Sequence, residues 1–369
     1  MRCYEHRLIG LEAIVRRRSG GAVGIAANRD LPVAGGGVPN AVTTGPARSI
    51  PASPGRTGRA GILPKVRAAA LIVNPRATHV SSHTVQGVVV ELSDNYDVTV
   101  IETKSRGHAT ELVAQCAPDY EVLFALGGDG LFNEVANGAP ADLPVGFLPG
   151  GASNVFTRAL GLPKDPLCAA AQIAGSTRIR RISLGVANGR RFTFACGIGL
   201  DAEVVRAVDA HGRRHGRRPG DHVFALELVK LLWQRQRAGA TPIEWVGRGP
   251  VALAVVANTN PYTFAGPIAV NVSPTATFEG GLDIVAPIDV GPVTIARLVW
   301  SFLLRPAESG GVRGVHHLTD QDEVRFTTSE PVPLQVDGED LGDVAELTVR
   351  AERDAIAVIV AERSRSDGP

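Results

Sequence analysis

Two glycine-rich turns hold the residues with the clearest capacity for chemistry. In the first, Leu126-GGDGLFNEV-Ala136, an apolar run passes into Gly127, Gly128, Asp129 and Gly130 and then into a helical stripe of Leu131, Phe132, Val135 and Ala136. Such glycines let backbone approach a bulky anion, and the helix N-terminus behind them offers free N–H groups and positive potential. Phosphate fits that place. Asp129 then needs a reason, because a carboxylate among phosphate-binding amides repels the ligand unless it meets a Mg²⁺ or accepts a proton. It also suits a structural turn as a helix cap, and GGDG alone leaves both readings open.

The second turn, Leu148-PGGASNVFTRALGLP-Lys164, repeats the design about 20 residues later, with Gly150, Gly151, Ser153 and Asn154 ahead of a stripe at Val155, Phe156, Ala159 and Leu160. Two such loops at the ends of successive strands are a rarer coincidence than either alone. No GxGxxG opens the unit and no Gly-Lys-Ser/Thr follows a strand, which disfavours a conventional dehydrogenase or P-loop enzyme. A third feature is Val336-Asp337-Gly338-Glu339, where Gly338 permits a turn that points two carboxylates into one cleft. By itself the tripeptide also reads as an ordinary Asp-Gly turn with a solvated Glu.

The elements that must position these residues follow from periodicity. Ala69–Val73, Val98–Ile101, Glu121–Leu126 and Pro144–Leu148 are short apolar runs bounded by polar, Gly or Pro residues, as buried parallel strands are. Between them, Val85, Val88, Val89 and Leu92, then Ala109, Leu112, Val113 and Cys116, keep helical spacing. The β-α-β-α-β order predicts an α/β fold: an open parallel sheet, helices on both faces, and a ligand crevice at the carboxyl ends of the strands.

With these motifs in place, the sequence resembles the diacylglycerol kinase catalytic family, which includes sphingosine and ceramide kinases and bacterial lipid kinases. The resemblance covers about residues 69 to 345 and runs through Leu71-IVNP-Arg76, Glu102-TKSRGHATE-Leu112, GGDGLFNEVANG, PGGASNVFTRALGLP, CGIGLDAEVV at Cys196–Val205, and Val336-DGE-Asp340. It implies a nucleotide-binding α/β domain at 67–177 and a β-rich, sandwich-like lipid-substrate domain at 178–363. Strand-like stretches at Arg178–Ala187, Val251–Val256, Leu282–Ala286, Val332–Val336, Glu346–Arg350 and Ala355–Val360 agree with the second. It further implies ATP and Mg²⁺ as cofactors, with Asn74, Pro75, Thr103, Gly127, Gly128, Gly130, Asn133, Glu134, Gly151, Ser153 and Asn154 at the nucleotide. Glu339 is the first candidate to accept the lipid hydroxyl proton. Asp129 is the second, as in sphingosine-type members.

Several positions depart from the family pattern. Leu131 and Ala152 replace the usual Thr residues of the two turns, and Val155 replaces an Asp. The family's structural Mg²⁺ stretch corresponds to Pro274–Gly281, where Thr275 and Gly280 stand in place of both ligand Asp residues. That metal is not carried over. Phosphoryl transfer to diacylglycerol, giving phosphatidic acid, is the expected activity. A sphingoid- or ceramide-type kinase and a non-catalytic nucleotide- or lipid-binding protein are the alternatives.

Composition bounds the partners. The chain has 369 residues, 38 Lys+Arg against 37 Asp+Glu and a net charge of +1, so no global field gathers nucleic acid. Charge is uneven: residues 1–66 carry ten Lys+Arg and three Asp+Glu, with eleven Gly and six Pro. This composition predicts a disordered basic tail, with a second short tail at 364–369. Cys3, Cys116, Cys168 and Cys196 lack metal or redox spacing and fit reduced, buried thiols. Apolar runs are too short to span a bilayer and no leader pattern stands near Met1, so the expectation is a cytoplasmic protein resting on the inner membrane face. His211–Arg218, followed by the apolar Val223–Trp233, is a candidate contact for anionic lipid, with a solvated loop before a core helix as the equal alternative. Trp300 and Phe302 are expected in the core. A homodimer is compatible with this reading.

Overall fold

The computed structural model describes residues 66–215, 242–304 and 312–362, with Glu227, Lys230 and Leu231 between. The first half alternates as expected: β1 (Arg67–Val73), α1 (Ser82–Leu92), β2 (Tyr96–Glu102), α2 (His108–Cys116), β3 (Val122–Gly127), α3 (Asp129–Gly138), β4 (Val145–Pro149), α4 (Val155–Ala159) and α5 (Pro166–Ala174). Local chemistry sets several boundaries. Ser81 Oγ accepts from the Thr84 amide at 3.1 Å to start α1, and Asp165 accepts from the Cys168 amide at 2.8 Å to start α5, with Pro166 at its first position.

β2, β1, β3 and β4 lie side by side and parallel. The strands at the centre, β3 and β4, are buried along their whole length, as a sheet covered on both faces requires. On one face Val88 and Leu92 of α1 meet Ala169, Ala170 and Ile173 of α5. On the other, Ala109 and Val113 of α2 meet Phe132 and Val135 of α3. Each large apolar side chain removed from water here contributes on the order of 1.5–3 kcal/mol before entropy is subtracted.

The second half is strand-rich: β5 (Ile179–Ala187), β6 (Arg190–Phe192), β7 (Ala195–Gly199), α6 (Leu200–His215), β8 (Ile243–Trp245), β9 (Gly249–Val251), β10 (Leu253–Ala257), β11 (Thr263–Ala265), β12 (Ile268–Val270), β13 (Leu282–Pro287), α7 (Pro292–Leu304), β14 (Val315–Gln321), β15 (Glu323–Val336) and β16 (Glu339–Ile359). The two expected strands at Glu346–Arg350 and Ala355–Val360 are one long strand, β16, irregular between Glu352 and Ile356 near Asp354 at φ 52°. Its start pairs with β15 in a hairpin, and its end lies parallel to β4 at Val358 and Val145. One sheet therefore runs β14-β13-β10-β7-β15-β16-β4-β3-β1-β2, and β16 ties the hairpin turn at Asp337 to the parallel strands.

Two expectations change. Trp300 is 57% exposed, because it lies on the outer face of α7 with Val293, Ala296 and Arg297, while Leu298 and Ser301 face inward. Phe302 is half-buried against Val255, Val272 and Val285. Cys196 is buried, but Cys116 and Cys168 are only partly covered. Residues 1–65 of the basic tail expected at 1–66, the short tail expected at 364–369, Gly216–Arg218 and most of Val223–Trp233 lie outside the described residues. No helix among the described residues is long and apolar enough to cross a membrane.

Candidate active site

The two glycine turns pack backbone against backbone. A Cβ on Gly128 would lie 3.3 Å from the Cα of Gly151, and one on Gly151 would lie 2.6 Å from the Cα of Gly128. A side chain on Gly151 does not fit there, and one on Gly128 would need the facing backbone to give by a few tenths of an ångström. Asp129 bridges the same seam: its carboxylate, on a residue only 6% exposed, accepts from the Val155 amide at 3.1 Å and the Phe156 amide at 3.0 Å. It therefore caps α4, the helix of the other turn, and not its own. Asn154, in the left-handed region at φ 50°, closes the second turn by accepting from the Gly151 amide and donating to the Gly151 carbonyl. Phe132, Phe147, Phe156 and Phe278 stack edge to face beneath, which fixes both helices.

In front of the first turn lies a cavity of about 230 Å³. Asn74 and Arg76 reach it from the loop after β1, Thr103–Arg106 from the loop after β2, and Gly130, Leu131 and Glu134 from the start of α3. These are carboxyl-end loops of the parallel strands, where the topology places a ligand. Glu339 enters from the opposite side. Asp337 at φ 49° and Gly338 at φ 75° form the two-residue turn with both central residues left-handed that Asp-Gly favours, so that Val336 pairs with Glu339.

Glu339 stands at the wall of this cavity, facing two arginines. Its side chain is 18% exposed, with Oε1 3.4 Å from Arg106 Nη2 and Oε2 3.5 Å from Arg190 Nη2. A Cβ on Gly130 would sit 2.7 Å from Oε1, so the third glycine of GGDG is the floor on which the glutamate rests. Burial pushes the Glu339 carboxyl above the ordinary glutamate range, Arg106 and Arg190 pull it back, and the charges of Glu134 and Asp337 add to the rise. A carboxylate so placed is a better proton acceptor than a solvated one.

Asp337 does not share the cleft, contrary to the expectation of two carboxylates in it. Its carboxylate is buried and accepts from Asn133 Nδ2, the Thr193 amide and hydroxyl, and the Phe194 and Ala195 amides at 2.7–3.1 Å. It anchors the hairpin. The remaining predicted residues divide in the same way. Asn74, Thr103, Gly130 and Glu134 line the cavity with Glu339, although Glu134 also uses both oxygens to accept from the Gly107 and Ala109 amides at the start of α2. Gly127, Gly128, Asp129, Gly151 and Asn154 form the scaffold behind the first turn, while Asn133 is 1% exposed and bridges Asp337 to Arg190. Pro75 is exposed beside Arg76, and Ser153 is half-buried in the second turn, outside the cavity wall.

Comparison with known proteins agrees with the motifs. Residues 68–187 match the diacylglycerol kinase catalytic domain. Over those residues the chain is similar to the diacylglycerol kinase catalytic family. A Bacillus subtilis diacylglycerol kinase is 28% identical over 258 residues, which cover 66% of this chain and 80% of that protein. A Staphylococcus haemolyticus diacylglycerol kinase is 32% identical over 132 residues, and there the chain spans only 40% of the relative. A diacylglycerol kinase structure from Bacillus anthracis has the same fold, at a TM-score of 0.59 and 21% identity over 80% of this chain and 97% of that one. The chemistry of this kinase family is phosphoryl transfer.

Sequence reasoning misses Arg106 and Arg190 as site residues. Arg106 and Asp337 lie inside quoted motifs, but nothing in spacing says that Arg106 meets Glu339 across 233 residues of chain or which carboxylate of the turn points inward. Arg190 stood in no motif. The family's structural Mg²⁺ stretch is internally paired here: Ser273 and Thr275 hydroxyls donate to Asp283, and Asp320 accepts from the Gly281 amide and from Arg353. Arg353 already pairs with the Asp320 carboxylate and two hydroxyls already donate to Asp283, so these residues do not fit a bound cation. Among the described residues no group of three His, Cys, Asp or Glu side chains is arranged to hold a metal.

Proposed function

We propose that the chain transfers the γ-phosphoryl group of ATP to a lipid hydroxyl, with diacylglycerol as the acceptor and phosphatidic acid as the product. The observation that carries this reading is Glu339, buried against Gly130 and set between Arg106 and Arg190 at the wall of the cavity. Phosphoryl transfer asks for positioning, charge neutralisation and a proton acceptor. Arg76, Lys104 and Arg106 on the cavity side supply positive charge for the phosphates, and Glu339 takes the proton of the attacking hydroxyl. Asp129, with both oxygens on amides, holds the two turns in register. Residues 67–177 would form the nucleotide side and 178–363 the lipid side. Mg²⁺ fits as an ion that enters on the nucleotide phosphates, since Mg²⁺ commonly keeps waters and few protein ligands.

The outer face of α7 supports contact with an anionic bilayer: Val293, Ala296 and Trp300 are exposed beside Arg297, an apolar and cationic mix suited to the interface. The Bacillus subtilis relative's name favours diacylglycerol over sphingoid acceptors. Incubation of the protein and of Glu339→Gln with labelled ATP and diacylglycerol, sphingosine or ceramide tests the whole reading. Labelled phosphatidic acid with the parent protein and its loss in the variant are expected. A labelled sphingoid product would replace the acceptor, and no product with any lipid would leave a binding protein.

A further inference from the structure

The structure assigns a positioning role to Gln335 and Asp201: together they clamp the turn that carries Glu339 and set where its carboxylate points. This inference rests on Glu339 being the proton acceptor proposed above.

Gln335, on β15 opposite Gly197 of β7, is 1% exposed. Its Oε1 accepts from the Gly338 amide at 2.9 Å, and its Nε2 donates to Asp201 Oδ2 at 2.8 Å. Asp201, in the first turn of α6, accepts from Tyr262 Oη at 2.7 Å on its other oxygen. The chain of bonds runs Tyr262, Asp201, Gln335, Gly338, and the next residue is Glu339. Its polarity is fixed: a carboxylate at 201 makes the amide of Gln335 point its N–H₂ there, which leaves only its oxygen for the Gly338 N–H. Space is fixed as well, since a Cβ on Gly197 would overlap both Asp201 and Gln335 Nε2. Asp337 anchors the turn at one residue, and Gln335 anchors it at the next. Burial pushes the Asp201 carboxyl up, while the Tyr262 and Gln335 bonds pull it down; Cys196 is the remaining titratable neighbour. Arg106, Arg190, Glu134 and Asp337 face Glu339 itself.

The test compares Gln335→Leu, Gln335→Glu, and the swap of Gln335→Glu with Asp201→Asn. Gln335→Leu removes the clamp and keeps the volume, so kcat should fall about 10- to 100-fold, as small misplacements of reacting groups do. KM for ATP should stay near the parent value, since the clamp touches no nucleotide loop. Gln335→Glu alone sets two carboxylates face to face and should lose as much. The swap reverses donor and acceptor within the pair, still offers an oxygen to Gly338 and to Tyr262, and should recover most of kcat. A direct readout accompanies these: ¹³C titration of the Glu339 carboxyl, whose pKa should drop toward the ordinary value in Gln335→Leu as the turn loosens into water. Parent-like kcat or an unmoved Glu339 titration in folded Gln335→Leu, or a folded swap without recovery, overturns the clamp. Failure of the proton-acceptor assignment looks different: Glu339→Gln then keeps its turnover while the titration still moves.

Discussion

Gly128 and Gly151 are in backbone contact, and the contact is one-sided. A Cβ on Gly151 would come within 2.6 Å of the Gly128 Cα, whereas one on Gly128 would stop at 3.3 Å from the Gly151 Cα. The glycines of this seam serve the packing of two phosphate-type turns against each other as well as any approach of a ligand. Gly151→Ala should therefore destabilise by about 1–3 kcal/mol, the usual cost of forcing backbone apart in a packed region. It should also raise KM for ATP, because Asp129 loses its line to the Val155 and Phe156 amides. Gly128→Ala should do less of both. Thermal melts and ATP titrations of the two variants check the order, and a reversed order would mean that the turns do not pack as described.

Gly130 answers to a different neighbour. A methyl there meets Glu339 Oε1 at 2.7 Å, the far end of a side chain that can move, so Gly130→Ala should leave the melting temperature nearly unchanged. The displaced carboxylate should lower kcat by about tenfold or more, as a 1 Å error in a reacting group does. Equal losses in stability and turnover would show that Gly130 is held by backbone and not by the glutamate.

The parallel half of the fold was legible because burial on both faces writes a simple pattern: β1, β3 and β4 are short apolar runs, and α1 and α2 keep their helical stripes. The long strand β16 reads as two strands in the sequence because Asp354, at φ 52°, interrupts the pattern while the chain carries on past it. Glu339 and the glycine turns were legible as motifs. The direction of Asp337 was not, since an Asp-Gly turn allows its carboxylate to point out to a ligand or back into the sheet, and only the amides of Thr193, Phe194 and Ala195 decide. Trp300 is exposed although an apolar residue on an amphipathic-looking helix reads as core unless the other side of the helix is known.

Asp337 itself gives a third prediction. Asp337→Asn keeps the shape but turns an N–H₂ toward donors, so at least one buried amide or hydroxyl loses its acceptor. The cost should be about 2–4 kcal/mol, in the range for breaking a buried, charge-assisted network. A melting temperature within a degree or two of the parent would show that the carboxylate does not carry the hairpin.

The pH dependence follows from the direction of the Glu339 shift. A base must be deprotonated to work, and its pKa lies above the ordinary glutamate value, so kcat should rise with pH through a midpoint above that value. Arg106 stabilises the carboxylate and holds the pKa down. Arg106→Gln removes that effect, so the acid limb should move to higher pH in addition to any loss of phosphate affinity. A limb that moves to lower pH, or does not move, would mean that another group sets it.

The two candidate bases can be separated by what else each loses. Asp129 accepts two backbone amides, so Asp129→Asn turns an N–H₂ toward one of them, which should destabilise by about 1–3 kcal/mol and raise KM for ATP as the turns part. Its effect on kcat should leave the acid limb where it was. Glu339→Gln makes no backbone amide unpaired. It should cut kcat about 10²-fold or more, abolish the acid limb, and leave KM for ATP and the melting temperature close to the parent. The alternative has an equally definite signature: a folded Asp129→Asn variant that binds ATP normally but has no turnover, beside an active Glu339→Gln, would move the proton transfer to Asp129 and reduce Glu339 to a partner of the two arginines.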